Sequence, residues 1–293
     1  MRLAYFGSPQ IAVEPLHALV EAGHDIVVVV TNPERRRGRG SARTPTPVGA
    51  TAERLGLTVT SDPLDAVAGS AELGVVVAYG RILGPEVLAA FPVVNLHFSL
   101  LPRWRGAAPV ERAILAGDSV TGVCLMEVEP TLDTGPVFCS IEHTVSPDVT
   151  AAALAAELGH LGAGMLVDAL SRGLGDPVPQ ATEGVTYAEK ITAADRRLDW
   201  SRSASEAVRT VRIGGAWSTF RGQRVVVVAA EPSAERSDDA VPGQVLGRTG
   251  LRVACGDGSA LEVLTLRPAG RKEQDASQFR NGARLLPGET FSG

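Results

Sequence analysis

The sequence predicts an α/β protein with a Rossmann-like, mostly parallel sheet in its N-terminal part and a small, OB-like β-barrel at its C-terminus. Strand-like and helix-like segments alternate along the first half, which is typical of a doubly wound parallel sheet. Two strand-like runs, "DIVVVVT" at 25–31 and "LGVVVAYG" at 73–80, are almost wholly apolar, as in strands covered on both faces. After about residue 206, four short β-like runs separated by turns predict the barrel.

The elements of the first half follow from their periodicity. Apolar residues at helical spacing end at Gly23, and short apolar runs end at glycines or turns. The segments at 121–128 and 136–145 are joined by a tight loop, so we expect antiparallel or edge strands there. We expect the other strands at 3–7, 25–31, 57–60, 73–80 and 93–98, and helices at 11–22, 47–55, 107–116 and 150–172.

The composition and periodicity of the sequence change after the helix at 150–172. The stretch 171–200 has several Gly and Pro residues and little periodicity, which is typical of a connector. A helix at 205–213 and the four β-like runs follow it. We therefore expect an N-terminal domain over 1–189, a linker over 190–205 and a C-terminal domain over 206–293.

Composition and charge exclude several function classes. The net charge is −5, so no global excess of positive charge draws the chain to a polyanion. The three cysteines are widely spaced without a CxxC motif, and the histidines lack metal-ligand spacing, so we expect neither a disulfide frame nor a metal. We see no signal peptide and no run of about 20 uninterrupted apolar residues, so we expect a cytoplasmic protein without a membrane segment.

One short run, "PERRRGRGSART", is strongly basic within an acidic domain. It could meet nucleic-acid phosphates locally, or it could be a solvated loop. Its arginines are Arg35, Arg36, Arg37, Arg39 and Arg43.

The turn after the first strand argues against a dinucleotide cofactor. In "FGSPQIA", Gly7 is the only glycine, whereas a dinucleotide-binding turn needs G-x-G-x-x-G to let the backbone approach a pyrophosphate. Nicotinamide chemistry is therefore not expected.

Asn95 and His97 are the most informative polar pair. They stand at i and i+2 near the end of the strand "VVNLHF", so both side chains project from one face. The carboxyl edge of an α/β sheet is where such proteins bind ligands. An amide can donate to a developing oxyanion and an imidazole can move a proton, although both could simply satisfy a loop.

Asp133, in "EPTLDTGPVF", is the third candidate. An Asp-Thr-Gly between two strands indicates a carboxylate held in a tight turn, which could fix the tautomer of His97 and stabilise its imidazolium form. It could equally be an ordinary turn aspartate. The Asp-Thr-Gly of aspartic proteases needs a second carboxylate, and this chain has a single such motif.

The stretch "NLHFSLLPRWRGAAPVERAILAGDSVTGVCLMEVEPTLDTGPV" at 95–137 resembles the signature of the folate-dependent formyltransferases, and especially those that act on methionyl-tRNA. The similarity extends over nearly the whole chain, through "FGSPQIAVEPLHAL", the basic run, "TYAEKITAADRRLDW" and the C-terminal "LRPAGRKEQDASQFRNGARLLPGE". The stretch "GGAWSTF" at 214–220 departs from the family's Pro-rich turn, so its path is left open.

The resemblance implies specific roles. Asn95, His97 and Asp133 would be the catalytic set for transfer of a formyl group from 10-formyltetrahydrofolate to the amine of initiator methionyl-tRNA, without a metal. The arginine loop would contact the tRNA acceptor arm, the barrel would support the tRNA, and a monomer is expected. The folate would be contacted by Ser99, Leu100, Leu101 and Pro102.

Three alternatives stay open at this point. A formyltransferase of the same family could act on an amino-sugar nucleotide, or the chain could hydrolyse 10-formyltetrahydrofolate to formate. It could also be a non-enzymatic RNA-binding module. The sequence leaves undecided whether His97 serves mainly as a base or as a partner of the oxyanion.

Overall fold

The computed structural model describes residues 1–36 and 43–292, and the chain divides into two compact units. The first comprises Met1–Arg112, Ser119–Val145 and Ala153–Lys190. The second comprises Ala113–Asp118, Ser146–Ala152 and Ile191–Gly293. The domain limits expected from the sequence remain predictions.

Eleven strands lie before residue 190 in the described part of the chain, and the sequence predicts seven of them in this order. The eleven are β1 (Arg2–Gly7), β2 (Asp25–Val30), β3 (Arg35–Arg36), β4 (Arg43–Thr44), β5 (Val59–Thr60), β6 (Leu73–Val77), β7 (Val93–His97), β8 (Arg105–Gly106), β9 (Val120–Glu127), β10 (Val137–Thr144) and β11 (Tyr187–Ala188).

The helices of this part of the chain lie between those strands. They are α1 (Val13–Glu21), preceded by a 3₁₀ turn at Gln10–Ala12, then α2 (Pro47–Arg54), α3 (Asp65–Ala68), α4 (Pro85–Ala90), α5 (Pro109–Ala116) and α6 (Ala151–Arg172). Helices α3 and α4 were not expected from the sequence, because neither is long enough to show a helical period.

The main sheet of the first unit has seven strands in the order β10-β9-β7-β6-β1-β2-β5. Strands β7, β6, β1, β2 and β5 are parallel, and β9 and β10 are antiparallel additions at one edge. The expected mostly parallel sheet with antiparallel strands near 121–128 and 136–145 is therefore confirmed. The core beneath it includes Phe6 and Tyr79, whose rings meet edge to face at 5.8 Å.

Helix α6 has 22 residues and contains an 18-residue stretch with a mean hydropathy of 1.3, so by length and composition alone it could cross a membrane. Core helices share that property, and in this one Leu154, Leu158 and Leu166 are fully buried. A Cβ on Gly162 would lie 2.9 Å from the side chain of Leu96 in β7, so the helix lies close against the sheet. These leucines belong to the protein core.

A two-stranded parallel pairing of β8 with β11 joins two distant stretches of the first unit. Arg105 pairs with Tyr187 and Gly106 with Ala188. The loop that follows β7 is thereby fixed to the segment that follows α6, which the sequence analysis treated as a connector.

The part of the second unit that begins at Ile191 is an antiparallel barrel with two helices. Its elements are α7 (Ala204–Arg212), β12 (Trp217–Phe220), β13 (Gln223–Pro232), β14 (Val245–Leu246), β15 (Arg252–Ala254), β16 (Ala260–Pro268), β17 (Gln274–Asp275), α8 (Ala276–Ala283) and β18 (Phe291–Ser292).

Closure of the sheet makes this unit a barrel. Its strands run in the order β14-β15-β16-β13-β12-β18, and a bridge between Gln244 and Thr290 joins the first to the last. The N–H of Phe291 also donates to the Gly243 carbonyl. Phe220 and Phe291 lie in the core with their ring centroids 4.9 Å apart. The expected C-terminal barrel is confirmed.

The turn that was left open at 214–220 has a simple path. Gly214 and Gly215 have φ angles of +79° and +71°, in the left-handed region that favours glycine. Strand β12 begins two residues later, at Trp217.

Helix α8, which the sequence analysis missed, starts from a capping box formed by Asp275 and Gln278.

Candidate active site

The polar end of β7 lies between two neighbouring strands. Asn95 pairs with Val76 of β6 and Met126 of β9, and His97 pairs with Cys124 of β9. His97 is buried, with 5% of its surface exposed, and Asn95 is half-buried. Burial limits the groups that these two side chains can contact, so their hydrogen-bond partners determine what they can do chemically.

Asp133 meets both side chains. Asn95 Nδ2 donates to Asp133 Oδ1 over 3.4 Å, and His97 Nδ1 lies 3.8 Å from Asp133 Oδ2. The Gly106 N–H donates to the same Oδ2 over 2.8 Å. The structure therefore brings the three predicted residues together, although Asp133 lies 38 positions after Asn95.

The hydrogen bonds of His97 fix its neutral tautomer. Nε2 lies 2.9 Å from the carbonyl oxygen of Trp104, which can only accept, so Nε2 carries a proton. In the neutral ring, Nδ1 is then an unprotonated acceptor. The 3.8 Å separation between Nδ1 and Asp133 Oδ2 exceeds a hydrogen-bond length, so no hydrogen bond joins them. The carboxylate charge would instead favour a proton taken up at Nδ1. Uptake of a proton at Nδ1 would give an imidazolium beside a carboxylate.

The loop after β7 is held in a single shape by contacts with residues 186–188. Trp104, with φ of +63°, donates its N–H to Thr186 Oγ1 over 2.8 Å. Gly106 has φ of +125°, and a Cβ there would lie 2.7 Å from the Ala188 carbonyl oxygen, so this position requires glycine. These contacts place the Trp104 carbonyl and the Gly106 N–H against His97 and Asp133.

The four residues predicted to contact a folate lie on this loop. Ser99 is fully buried, and its hydroxyl donates to the Arg103 carbonyl over 2.6 Å, so it shapes the loop. Leu100, Leu101 and Pro102 are half-buried, and the Leu101 N–H donates to Cys124 Sγ over 3.4 Å. Contact of these residues with a folate stays a prediction.

The thiol of Cys124 is not suited to nucleophilic chemistry. Burial raises its pKa to about 11, so it is protonated at neutral pH. Its sulfur serves as a weak acceptor for the loop backbone. Among residues 1–36 and 43–292, no group of three or more His, Cys, Asp and Glu side chains could hold a metal ion.

A second polar cluster, which the sequence analysis missed, links β1, β2 and β6 at their carboxyl ends. Asn32 donates from Nδ2 to Ser8 Oγ over 2.9 Å and to the Tyr79 carbonyl over 2.8 Å. The hydroxyls of Thr31 and Thr46 lie 2.5 Å apart beside it. A polar residue after each apolar run was the available sequence signal. The first turn itself is tight, since a Cβ on Gly7 would lie 2.9 Å from the Tyr5 ring.

A cavity of about 490 Å³ opens beside the Asp133 loop. Polar side chains of Arg105, Glu129 and Gln180 line it together with the apolar Pro136 and the exposed ring of Tyr187. Its lining includes Thr134 and Pro136, which belong to the loop that follows Asp133.

The basic run lies largely outside this description. Arg37 and Arg39 are outside the described residues. The backbones of Arg35, Arg36 and Arg43 belong to the small antiparallel pair β3–β4, in which Arg36 is opposite Arg43.

Known proteins resemble this chain over its full length. The Formyl transferase family matches residues 1–170, and the Formyl transferase, C-terminal domain family matches residues 190–284. A methionyl-tRNA formyltransferase of Roseobacter denitrificans is 43% identical over 100% of this chain and 99% of its own. That of Dinoroseobacter shibae is 45% identical over 97% and 98%.

A solved structure shares the fold. HypX from Aquifex aeolicus, in complex with tetrahydrofolic acid, superposes with a TM-score of 0.65 at 18% identity, over 96% of this chain and 47% of HypX. At that identity the likeness speaks for the fold alone. On the strength of the family matches and the full-length relatives, the chain belongs to the formyltransferase family and, within it, to the methionyl-tRNA formyltransferases.

Proposed function

We propose that this chain transfers the formyl group of 10-formyltetrahydrofolate to the free α-amino group of methionyl-initiator tRNA. The observation that carries the proposal is the convergence of Asn95, His97 and Asp133, with separations of 3.4 Å and 3.8 Å between their polar atoms. Family membership supports the substrates, since the full-length relatives are methionyl-tRNA formyltransferases.

The proposed reaction forms one bond and breaks another. The amine nitrogen attacks the formyl carbon and gives a tetrahedral oxyanion, and the bond from that carbon to N10 of the folate then breaks. The amine loses a proton and N10 gains one, so no redox partner is needed. The enzyme must therefore stabilise one oxyanion and move one proton.

Asn95 is suited to the oxyanion. One N–H of its amide is directed to Asp133 Oδ1, which leaves the second N–H for another acceptor. A fixed donor aimed at a developing negative charge is among the strongest contributions that a protein makes to acyl transfer.

His97 is suited to the proton. Nε2 is engaged with the Trp104 carbonyl, so Nδ1 is the nitrogen that would accept a proton from the attacking amine. Asp133 would stabilise the imidazolium so formed, which could then donate to the oxyanion or to N10. In this proposal His97 acts first as a base and becomes a cationic partner afterwards.

The remaining partners follow from the same proposal. The loop at Ser99–Pro102 would contact the folate, the arginines between Arg35 and Arg43 would contact the acceptor arm, and the barrel would support the tRNA. We expect a monomer that acts in the cytoplasm, where translation takes place. Light scattering of the purified protein tests the expected monomer.

One assay tests the function against its alternatives. The purified protein is incubated with 10-formyltetrahydrofolate and either methionyl-initiator tRNA, an amino-sugar nucleotide or no acceptor. Formation of N-formylmethionyl-tRNA alone is expected. Formylation of the sugar would indicate a different acceptor, and formate release without an acceptor would indicate a hydrolase. Salt-sensitive tRNA binding without any turnover would indicate an RNA-binding module.

A further inference from the structure

We propose that Gln180 is a positioning residue that holds the Asp133 carboxylate against His97 and Asn95, with Arg105 as its partner. This inference rests on the proposed formyl transfer. Gln180 belongs to the segment after α6, 47 positions beyond Asp133. Its side chain touches neither Asn95 nor His97 in any described contact, so its effect on them would pass through Asp133.

All four hydrogen-bonding positions of the Gln180 amide are occupied. Nε2 donates to the carbonyl of Asp133 over 2.9 Å and to that of Gly135 over 2.8 Å. Oε1 accepts from Arg105 Nε over 3.0 Å and from Arg105 Nη2 over 2.7 Å. Carbonyls only accept and a guanidinium only donates, so this network fixes which end of the amide faces which loop.

The Asp133 loop needs such support. Asp133 has φ of +49°, in the left-handed region. Aspartate tolerates this conformation better than most residues, but its cost must still be offset by the surroundings. Gly135 is equally constrained, because a Cβ there would lie 2.0 Å from the Glu127 carbonyl oxygen. Gln180 binds the carbonyls on both sides of this turn and so holds its shape.

The same amide links the loop to the other side of the site. Arg105 precedes Gly106, whose N–H donates to Asp133 Oδ2 over 2.8 Å. Gln180 thus joins the backbone of Asp133 to the residue next to its carboxylate partner. Loss of the amide would free both loops and lengthen the 3.8 Å separation of Asp133 Oδ2 from His97 Nδ1.

The test compares Gln180→Leu, Gln180→Glu and the control Glu183→Gln. Leucine removes all four hydrogen bonds. Glutamate keeps the contact with Arg105 and removes both donors to the carbonyls, so it tests the donors in a protein with its arginine pairing intact. Glu183 is exposed, lies three residues away on the same segment and is not among the residues that line the cavity.

We expect kcat for formyl transfer to fall by about 10- to 100-fold in both Gln180 variants, as is typical of residues that orient reacting groups. KM for each substrate should stay near wild type, the melting temperature should fall by only a few degrees, and Glu183→Gln should be unchanged. In an Asp133→Asn background, Gln180→Leu should lower the single-turnover rate by less than about twofold. A purely structural residue would add its full effect there.

The crystal structure of the Gln180→Leu variant shows the position of Asp133 without an activity measurement. Its outcome therefore does not depend on the proposed function. A displaced Asp133 carboxylate supports it. An Asp133 carboxylate that keeps its contacts with Gly106 and Asn95, or a kcat within twofold of wild type in both variants, overturns it. A wild-type protein that fails to formylate methionyl-tRNA would instead overturn the proposed function.

Discussion

The candidate site and the barrel differ in how they hold residues in the left-handed conformation. At the site, Trp104 and Asp133 have φ of +63° and +49°. The Trp104 carbonyl accepts a hydrogen bond from His97 Nε2, and the Asp133 carboxylate lies 3.8 Å from His97 Nδ1. In the barrel unit, Arg221 (+47°) lies in the tight turn between β12 and β13, and Arg284 (+48°) ends helix α8.

This difference predicts that substitutions in the two regions affect different properties of the protein. A non-glycine residue in this region costs about 1–3 kcal/mol. In the barrel unit a turn or a helix cap offsets that cost, together with hydrogen bonds from the Arg221 side chain to Glu289. At the site the cost is offset by tertiary contacts that aim groups at one another. Substitutions at the site should therefore reduce turnover, and substitutions in the barrel unit should reduce stability.

The largest effect is expected from His97→Ala and Asp133→Asn. Loss of a positioned proton acceptor, or of the carboxylate that stabilises it, should lower kcat by about 10²- to 10⁴-fold. The dissociation constant for tRNA should stay within about twofold of wild type, since neither group is proposed to bind RNA. Rapid-quench assays with labelled formyl donor and filter binding check the two values. Near-normal kcat in either variant would refute the site assignment.

The next effect concerns the proposed oxyanion donor. Asn95→Ala should lower kcat by about 10²- to 10³-fold, the usual cost of one oxyanion donor. Asn95→Asp is a matched variant of the same size that replaces the donor with an acceptor, and it should be at least as slow. Steady-state kinetics at saturating substrates measures both, and an active Asn95→Asp would remove Asn95 from this role.

The arginine run should affect binding rather than chemistry. Replacing Arg35, Arg36, Arg37, Arg39 and Arg43 together by Gln should raise KM for tRNA and reduce the salt dependence of binding. Each lost phosphate contact should reduce the slope of log Kd against log salt by about 0.7–0.9. Kcat at saturating tRNA should stay within about twofold of wild type. An unchanged slope would mean that the run is a solvated loop.

The smallest effect belongs to the barrel unit and should leave turnover intact. Helix α7 begins with a capping box in which Ser203 and Glu206 bond each other's backbone N–H groups. Ser203→Ala should lower the free energy of unfolding by about 1 kcal/mol, with kcat unchanged. Chemical denaturation measures the first value. A fall in kcat larger than the loss of folded protein would contradict the proposed difference between the two regions.

The same cap predicts a pH dependence. Hydrogen bonds from the Ser203 N–H and hydroxyl lower the pKa of Glu206. A carboxyl whose pKa is lowered on folding stabilises the fold above its unfolded pKa, and that contribution is lost as pH falls through its folded pKa. The difference in stability between wild type and Ser203→Ala should therefore shrink in acid.

Much of the site could be predicted because its signals are local. The spacing of Asn95 and His97 on one strand places both side chains on one face, and the Asp-Thr-Gly turn marks Asp133. Gln180 has no such signal. It lies in a Gly- and Pro-rich stretch whose position depends on the pairing of β8 with β11, a contact between segments about 80 residues apart.

The fold shows the same division. The parallel sheet and the barrel follow from apolar runs and turns that each segment carries by itself. The short helices α3 and α4 take their shape from neighbours, so periodicity missed them. Helix α8 had a readable signal in its capping box, Asp275 followed by Gln278, and was missed beside the β-like runs.

The central claim is that His97 and Asp133 act as one unit, and a double-mutant cycle on the single-turnover formylation of methionyl-tRNA tests it most directly. If Asp133 works mainly through the imidazole, the rate loss in the His97→Ala/Asp133→Asn double variant should be at least about tenfold smaller than the product of the two single losses. Losses that multiply in full would show two independent groups and contradict the account.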